Sequence, residues 1–172
     1  MAKDRRESGL FRVKMETVTI RMELENVDAT RALGARIARG LGVGDIVALE
    51  GDLGAGKTAL ARAILNALGV REAVPSPTFT LVQAYRTPKL AVFHFDLYRI
   101  RDASELEELA LEEALAEGAA LVEWPERALE RAMLPAETTL RVKLATIDEE
   151  RRCAEITGPQ RWMEFLGDAN RG

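Results

Sequence analysis

The octet Gly51-Asp52-Leu53-Gly54-Ala55-Gly56-Lys57-Thr58 carries the clearest chemistry in the chain. It matches G-x-x-x-x-G-K-[ST]. Glycines allow successive backbone N–H groups to turn inward as an anion nest. A helix starting near Lys57 adds its positive end to the same point. Lys57 offers a mobile cation to β and γ phosphates, and Thr58 a hydroxyl to Mg²⁺. In 172 residues a chance match is an event of about one in a hundred or rarer. Asp52, Leu53, Gly54, Ala55, Gly56, Lys57, Thr58 and Ala59 are therefore the candidate nucleotide-binding residues. Alone, the loop leaves kinase, ATPase and GTPase chemistry open, although no N-K-x-D segment is present to select guanine.

Such a loop works with a carboxylate at the carboxyl end of a neighbouring strand. Two segments supply one. In Phe93-His94-Phe95-Asp96, alternation puts His94 and Asp96 on one face. In Ala119-Ala120-Leu121-Val122-Glu123, an apolar strand ends on Glu123. His94 is the only histidine, and a single strand histidine reads as structural rather than as a base. Ser76, Pro77, Thr78 and Thr80 form a proline-stiffened hydroxyl loop after the phosphate-loop helix. Its hydroxyls resemble those of a nucleotide-sensing switch, with an ordinary turn as the plain alternative. Trp124 reads either as core or as a stacking platform for adenine. Asp102, Glu105, Glu107, Glu108, Glu112 and Glu113 follow helical spacing and read as a solvated face.

The elements that would hold these groups alternate along the chain. Thr17–Leu24 reads as a strand, then a helix capped by Asp28 with Ala29, Leu33, Ile37 and Leu41 as its stripe, ended by Gly42 and Gly44. Ile46–Leu49 is a short apolar run, the mark of a strand buried on both faces. Leu60, Ile64 and Leu68 stripe the next helix, closed by Gly69. Phe79–Tyr85 and Leu90–Leu97 read as strands, Ser104–Glu117 as one helix, and Ala119–Glu123 as a strand. A short helix runs from Pro125 toward Met133. Thr139–Ala145 and Arg151–Thr157 form a hairpin, and Pro159 starts a last helix with Trp162, Phe165 and Leu166. The expected class is α/β, as one domain over residues 15–172.

Composition bounds the partners. Hydrophobic residues make up 47% and charged residues 30%, an ordinary soluble globular balance. No apolar run is long enough for a transmembrane helix, so no membrane partner is expected. Residues 1–14 are polar and mixed in charge, and are expected to be a disordered tail, not a secretory signal. The net charge of −4 provides no bulk field for direct nucleic-acid binding. The single cysteine, Cys153, forms no internal disulfide and fits a reducing, cytoplasmic setting.

Taken in order, the phosphate loop, Ser76-Pro77-Thr78-Phe79-Thr80-Leu81-Val82, His94-Phe95-Asp96-Leu97-Tyr98-Arg99, Glu105-Leu106-Glu107-Glu108-Leu109 and Leu121-Val122-Glu123-Trp124-Pro125-Glu126 resemble the bacterial TsaE (YjeE) ATPases of tRNA threonylcarbamoyladenosine (t6A) biosynthesis. The resemblance covers about Thr17 to Thr157. It implies a three-layer P-loop NTPase fold with a mostly parallel sheet flanked by helices. It also implies weak ATPase activity with ATP and Mg²⁺, partners TsaB and TsaD, and tRNA reached through that complex. Carried over by motif, Lys57, Asp96 and Glu123 would be the catalytic residues, with Asp96 positioning water. Thr58 and Glu123 would bind Mg²⁺, and Ser76–Thr80 would form the switch. Trp124 would lie near the nucleotide, and Thr30 and Arg151 would touch its adenosine end. Ala59 stands where the family often has a second hydroxyl. A small-molecule or nucleoside kinase shares the loop but usually carries an Arg-rich lid, and none is evident here. The other rival is a non-hydrolysing ATP/ADP switch.

Overall fold

A computed structural model describes residues 16–167. The tail expected over residues 1–14 lies outside the described residues. In chain order the elements are β1 (Thr17–Leu24), α1 (Val27–Gly40), β2 (Ile46–Glu50), α2 (Lys57–Ala67), β3 (Val82–Arg86), β4 (Ala91–Asp96), α3 (Ala103–Glu108), α4 (Leu111–Glu117), β5 (Gly118–Glu123), α5 (Glu126–Glu130), β6 (Thr139–Thr146), β7 (Arg152–Pro159), a 3₁₀ turn (Gln160–Trp162) and α6 (Met163–Leu166).

All seven strands join one sheet in the order β1-β7-β6-β2-β5-β4-β3. The four central strands, β6, β2, β5 and β4, run parallel. The outer strands β1, β7 and β3 are antiparallel to their neighbours. β2 and β5 are apolar on both faces because helices cover both sides. One core, with Leu33, Ile37, Leu60, Ile64, Val92, Leu121 and Trp162, lies under α1, α2 and α6. A second, with Phe95, Ile100, Leu106, Leu111, Val122 and Leu134, lies under α3–α5. This is a three-layer α/β fold with a C-terminal antiparallel hairpin. No helix among the described residues is long and apolar enough to cross a membrane.

Helices α1 and α2 approach closely at Gly34. A Cβ there would sit 2.5 Å from Ala63 Cβ and 2.8 Å from its carbonyl carbon, so only hydrogen fits. The C-terminal segment is seated on α1: Arg36 donates to the carbonyls of Phe165 and Leu166, and Arg161 pairs with Asp45.

The structure corrects four boundaries. Asn26, not Asp28, caps α1: its side chain accepts from the N–H groups of Asp28 and Ala29, each at 3.0 Å. The helix ends at Gly40, before Gly42. The strand expected from Phe79 begins only at Val82, because Leu81 donates its N–H back to the Pro77 carbonyl and takes a left-handed φ of 63°. The helix expected over Ser104–Glu117 starts after an Asp102 cap and breaks at Ala110, whose φ is 52°.

Candidate nucleotide-binding and catalytic site

The phosphate loop connects the carboxyl end of β2 to the first turn of α2. Gly51, at φ 139°, lies against β6, where a Cβ would run into the Leu144 carbonyl. Gly56, at φ 105°, precedes α2 and provides no side-chain cap. The opening N–H groups of α2 are thus free of a competing cap and aimed at the loop's concavity.

Lys57 is only 5% exposed. Its Nζ donates to the carbonyls of Gly51 and Asp52 and lies 3.8 Å from the centre of the Trp124 ring. Burial lowers its pKa from the ordinary value, and the Glu123, Glu126, Asp96 and Asp52 carboxylates partly restore it. A cation so poorly solvated gains strongly from an arriving anion.

Glu123 ends β5, one strand over, and is 2% exposed. Its Oε2 accepts from the Thr58 hydroxyl at 2.9 Å. Its Oε1 lies 2.8 Å from His94 Nε2. Asp96 ends β4 and pairs in register with Glu123, so parallel pairing brings both acids to the same sheet edge. Asp96 Oδ2 accepts from Thr78 Oγ1 at 2.9 Å, with Ser76 Oγ at 3.5 Å. Its Oδ1 accepts the Tyr98 N–H at 2.9 Å. Ser76 and Thr78 bond to each other at 2.7 Å. Arg62, on α2, donates to the Val74 carbonyl at 2.6 Å and ties the start of this loop to the phosphate-loop helix.

Two clefts flank the loop and share Gly56 and Ala59. One, about 300 Å³, is lined by Lys57, Thr58, Asp96, Glu123 and Trp124, with Ser76 and Thr78 closing it. The other, about 350 Å³, lies between the β1–α1 junction and the β6–β7 hairpin, with Thr30, Leu144 and Arg152 in its lining. The fold thus gathers Lys57, Thr58, Asp96 and Glu123 in one place. Pro77 is buried, while Thr80 is exposed outside the cleft lining.

One placement differs from expectation: Arg151 lies outside the cleft that Thr30 lines. Trp124 lines the cleft with Lys57 and Thr58, covers the Lys57 Nζ and packs against Tyr98 at 4.8 Å with the rings tilted by 50°; the lining of the Thr30 cleft does not include it. Thr30 lines that second cleft, but Arg151 does not: it is held by Asp148 at 2.7 Å and Glu23 at 2.9 Å. Arg152 lines the cleft in its place. His94 contacts Glu123, a link that alternation could not reveal because it crosses from β4 to β5. Arg99 lies over the Phe79 ring, outside the cleft lining.

A family model described as "Threonylcarbamoyl adenosine biosynthesis protein TsaE" matches residues 24–154. Three curated relatives named tRNA threonylcarbamoyladenosine biosynthesis protein TsaE are similar over most of the chain. That of Rickettsia felis is 40% identical, covering 78% of each chain. That of Rickettsia bellii is 36% identical over 83% of this chain and 98% of its own. That of Bacillus subtilis is 39% identical over 77% and 80%. The crystal structure of Bacillus subtilis YdiB superposes with a TM-score of 0.72 at 27% identity, covering 91% of this chain and 97% of that one.

Proposed function

This chain belongs to the TsaE family of threonylcarbamoyl adenosine biosynthesis proteins, and from that premise we propose that it is a weakly hydrolysing, Mg²⁺-dependent ATPase serving t6A modification of tRNA with TsaB and TsaD. The observation that carries the reading is the Thr58–Glu123 contact at 2.9 Å beside the glycine loop. A hydroxyl and a buried carboxylate form an oxygen donor set suited to Mg²⁺, which is usually held by one or two protein oxygens plus phosphates and water. No cluster of three or more His, Cys, Asp or Glu that could hold a metal exists among the described residues, in keeping with a metal held partly by phosphate. Bound there, Mg²⁺ would neutralise charge on the β and γ phosphates.

The chain's own groups divide the remaining work. Residues Asp52 to Ala59 cradle the phosphates, and Lys57 exchanges its bonds to Gly51 and Asp52 for phosphate oxygens. Thr30 and Arg152 border the cleft for the adenosine end, while Arg151 is held by Glu23 and Asp148 outside its lining. Asp96 holds the attacking water. In the structure Thr78 and Ser76 occupy the Oδ2 of Asp96, so water reaches that oxygen only when the hydroxyl loop shares or releases it. Ser76, Pro77, Thr78 and Thr80 thereby act as a switch. The cleft lining holds Lys57 and no arginine, so turnover by the chain alone is slow. Hydrolysis then drives a conformational cycle of the partner complex, in a cytoplasmic setting, and the threonylcarbamoyl transfer proceeds elsewhere.

The deciding experiment measures ATP hydrolysis and tRNA modification with and without TsaB and TsaD. Slow hydrolysis alone, with faster hydrolysis and tRNA modification in the complex, is expected. No hydrolysis and no modification under either condition would overturn the reading. The occupied Asp96 oxygen also favours a second reading, a switch that distinguishes ATP from ADP without turnover. Modified tRNA without phosphate release in the full complex would select it.

A further inference from the structure

We propose that His94 is a positioning residue that fixes the Glu123 carboxylate for the metal; the inference rests on the reading of Glu123 as a metal ligand. His94 is completely buried on β4, on the face turned toward α2. Glu123 sits on the neighbouring strand β5, where Asp96 is its register partner and Leu121 is that of His94. The histidine therefore reaches the carboxylate diagonally, from behind the sheet edge. Its Nε2 stands 2.8 Å from Oε1. A carboxylate only accepts, so Nε2 carries the proton and donates.

Two further observations separate this role from ordinary core packing. First, among the described residues His94 Nδ1 is buried without a hydrogen-bond partner. Buried polar atoms are normally satisfied, so an orphaned ring nitrogen asks what the imidazole is kept for. Among the described residues the imidazole's one polar contact is Glu123. Second, the two carboxylate oxygens are divided: Oε1 goes to His94 and Oε2 to Thr58, a hydroxyl on the phosphate-loop helix. Without the imidazole, a carboxylate only 2% exposed would keep one oxygen unpaired and could rotate to present either. With it, a single oxygen faces the loop, oriented before any ligand arrives. Partners that orient a metal ligand act in this way elsewhere, and their loss typically weakens metal affinity about 10–100-fold.

The test uses the full chain and calorimetric titration of ADP without metal, then of Mg²⁺ into the ADP complex. His94→Leu and His94→Met remove the donor. His94→Gln keeps an N–H that reaches about as far as Nε2. Glu123→Ala is the reference. Both apolar variants are expected to bind metal-free ADP as the native chain does and to lose about tenfold in Mg²⁺ affinity, with His94→Gln recovering most of the loss. Native Mg²⁺ affinity in either apolar variant overturns the proposal, as does a glutamine variant no better than leucine. Loss of metal-free ADP binding in both apolar variants also overturns it, because a positioning residue leaves the glycine cradle in place. If Glu123→Ala weakens Mg²⁺ binding while the apolar His94 variants do not, this proposal falls and the ligand reading stands. If Glu123→Ala has no effect, the ligand reading falls and takes this one with it.

Discussion

Gly34→Ala sets two physical effects of opposite sign against each other. By intrinsic preference, alanine stabilises a helix interior by about 0.5–1 kcal/mol relative to glycine. Gly34 is not in an open helix, however. Its added Cβ would lie 2.5 Å from Ala63 Cβ, 2.8 Å from the Ala63 carbonyl carbon and 2.9 Å from the Ile64 nitrogen. Two of these three are backbone atoms of α2 and cannot rotate away. Overpacking costs about 1–3 kcal/mol, and backbone contact points to the upper end, about 3 kcal/mol. The net expectation is a loss of about 2 kcal/mol, or a fall in Tm of about 4–8 °C for a chain of this size. Relief requires α1 and α2 to separate by roughly an ångström, given ordinary carbon contacts of about 3.5–4.0 Å. That shift carries Lys57 and Thr58 away from Glu123 on the sheet, so ADP affinity should fall along with stability. Chemical denaturation and thermal melting measure the first effect and calorimetry the second. A variant more stable than the native chain would refute the packing argument, because propensity alone would then decide the sign.

Other perturbations probe the site directly. Lys57→Ala should abolish ATP turnover and leave the far-UV circular dichroism unchanged; native turnover would remove Lys57 from the site. Thr78→Val deletes the hydroxyl bonded to Asp96 at 2.9 Å, a contact to a carboxylate worth about 1.5–3 kcal/mol. Exchange of the Leu81 amide, which closes the loop onto Pro77, should quicken about tenfold or more; an unchanged rate would show that the hydroxyl does not hold the loop. The lowered Lys57 pKa gives nucleotide binding a proton signature. As pH rises toward 10.5, the free site releases the Lys57 proton first, whereas a phosphate-bound site keeps it. Binding should therefore take up protons and weaken with rising pH in that window, measured as binding heats in buffers of different ionisation enthalpy. Because the unfolded chain holds that proton longer, this group makes stability rise with pH across the same window. Heats independent of buffer would contradict the first statement, and a denaturation midpoint that does not rise with pH across the window would contradict the second.

The central architecture was legible because its signals are local. Unbroken apolar runs at Ile46–Leu49 and Ala119–Val122 are too short for a helix and read as strands covered on both faces, and each stops on a glutamate at the carboxyl edge of the sheet. The phosphate loop announces its own geometry through glycine. Other features depended on contacts that spacing does not encode. Phe79-Thr80-Leu81 alternates like a strand, yet Pro77 and Leu81 close a turn there and leave Phe79 86% exposed. Nothing at Ala110 signals a helix break: the left-handed residue has neither glycine nor asparagine to mark it. Placing Trp124 over Lys57 required knowing that its own φ is 56°, which turns the ring back over the phosphate loop. Arg151 and Arg152 differ by one position in the hairpin, and only the register fixes which side chain faces the cleft.

Among the described residues β1 hydrogen-bonds only to β7, from Thr17 opposite Pro159 to Leu24 opposite Arg152. On the ribosome this has a consequence for timing. β1 has no sheet partner among the described strands until β7 has been made, while β2, β4 and β5 can already pair. Until then β1 is an open edge available to any passing strand. The cleft bordered by Thr30 and Arg152 likewise cannot exist until that late pairing is complete. A nascent chain, or one clipped before β7, would therefore own the phosphate loop but lack the wall of the second cleft beside it.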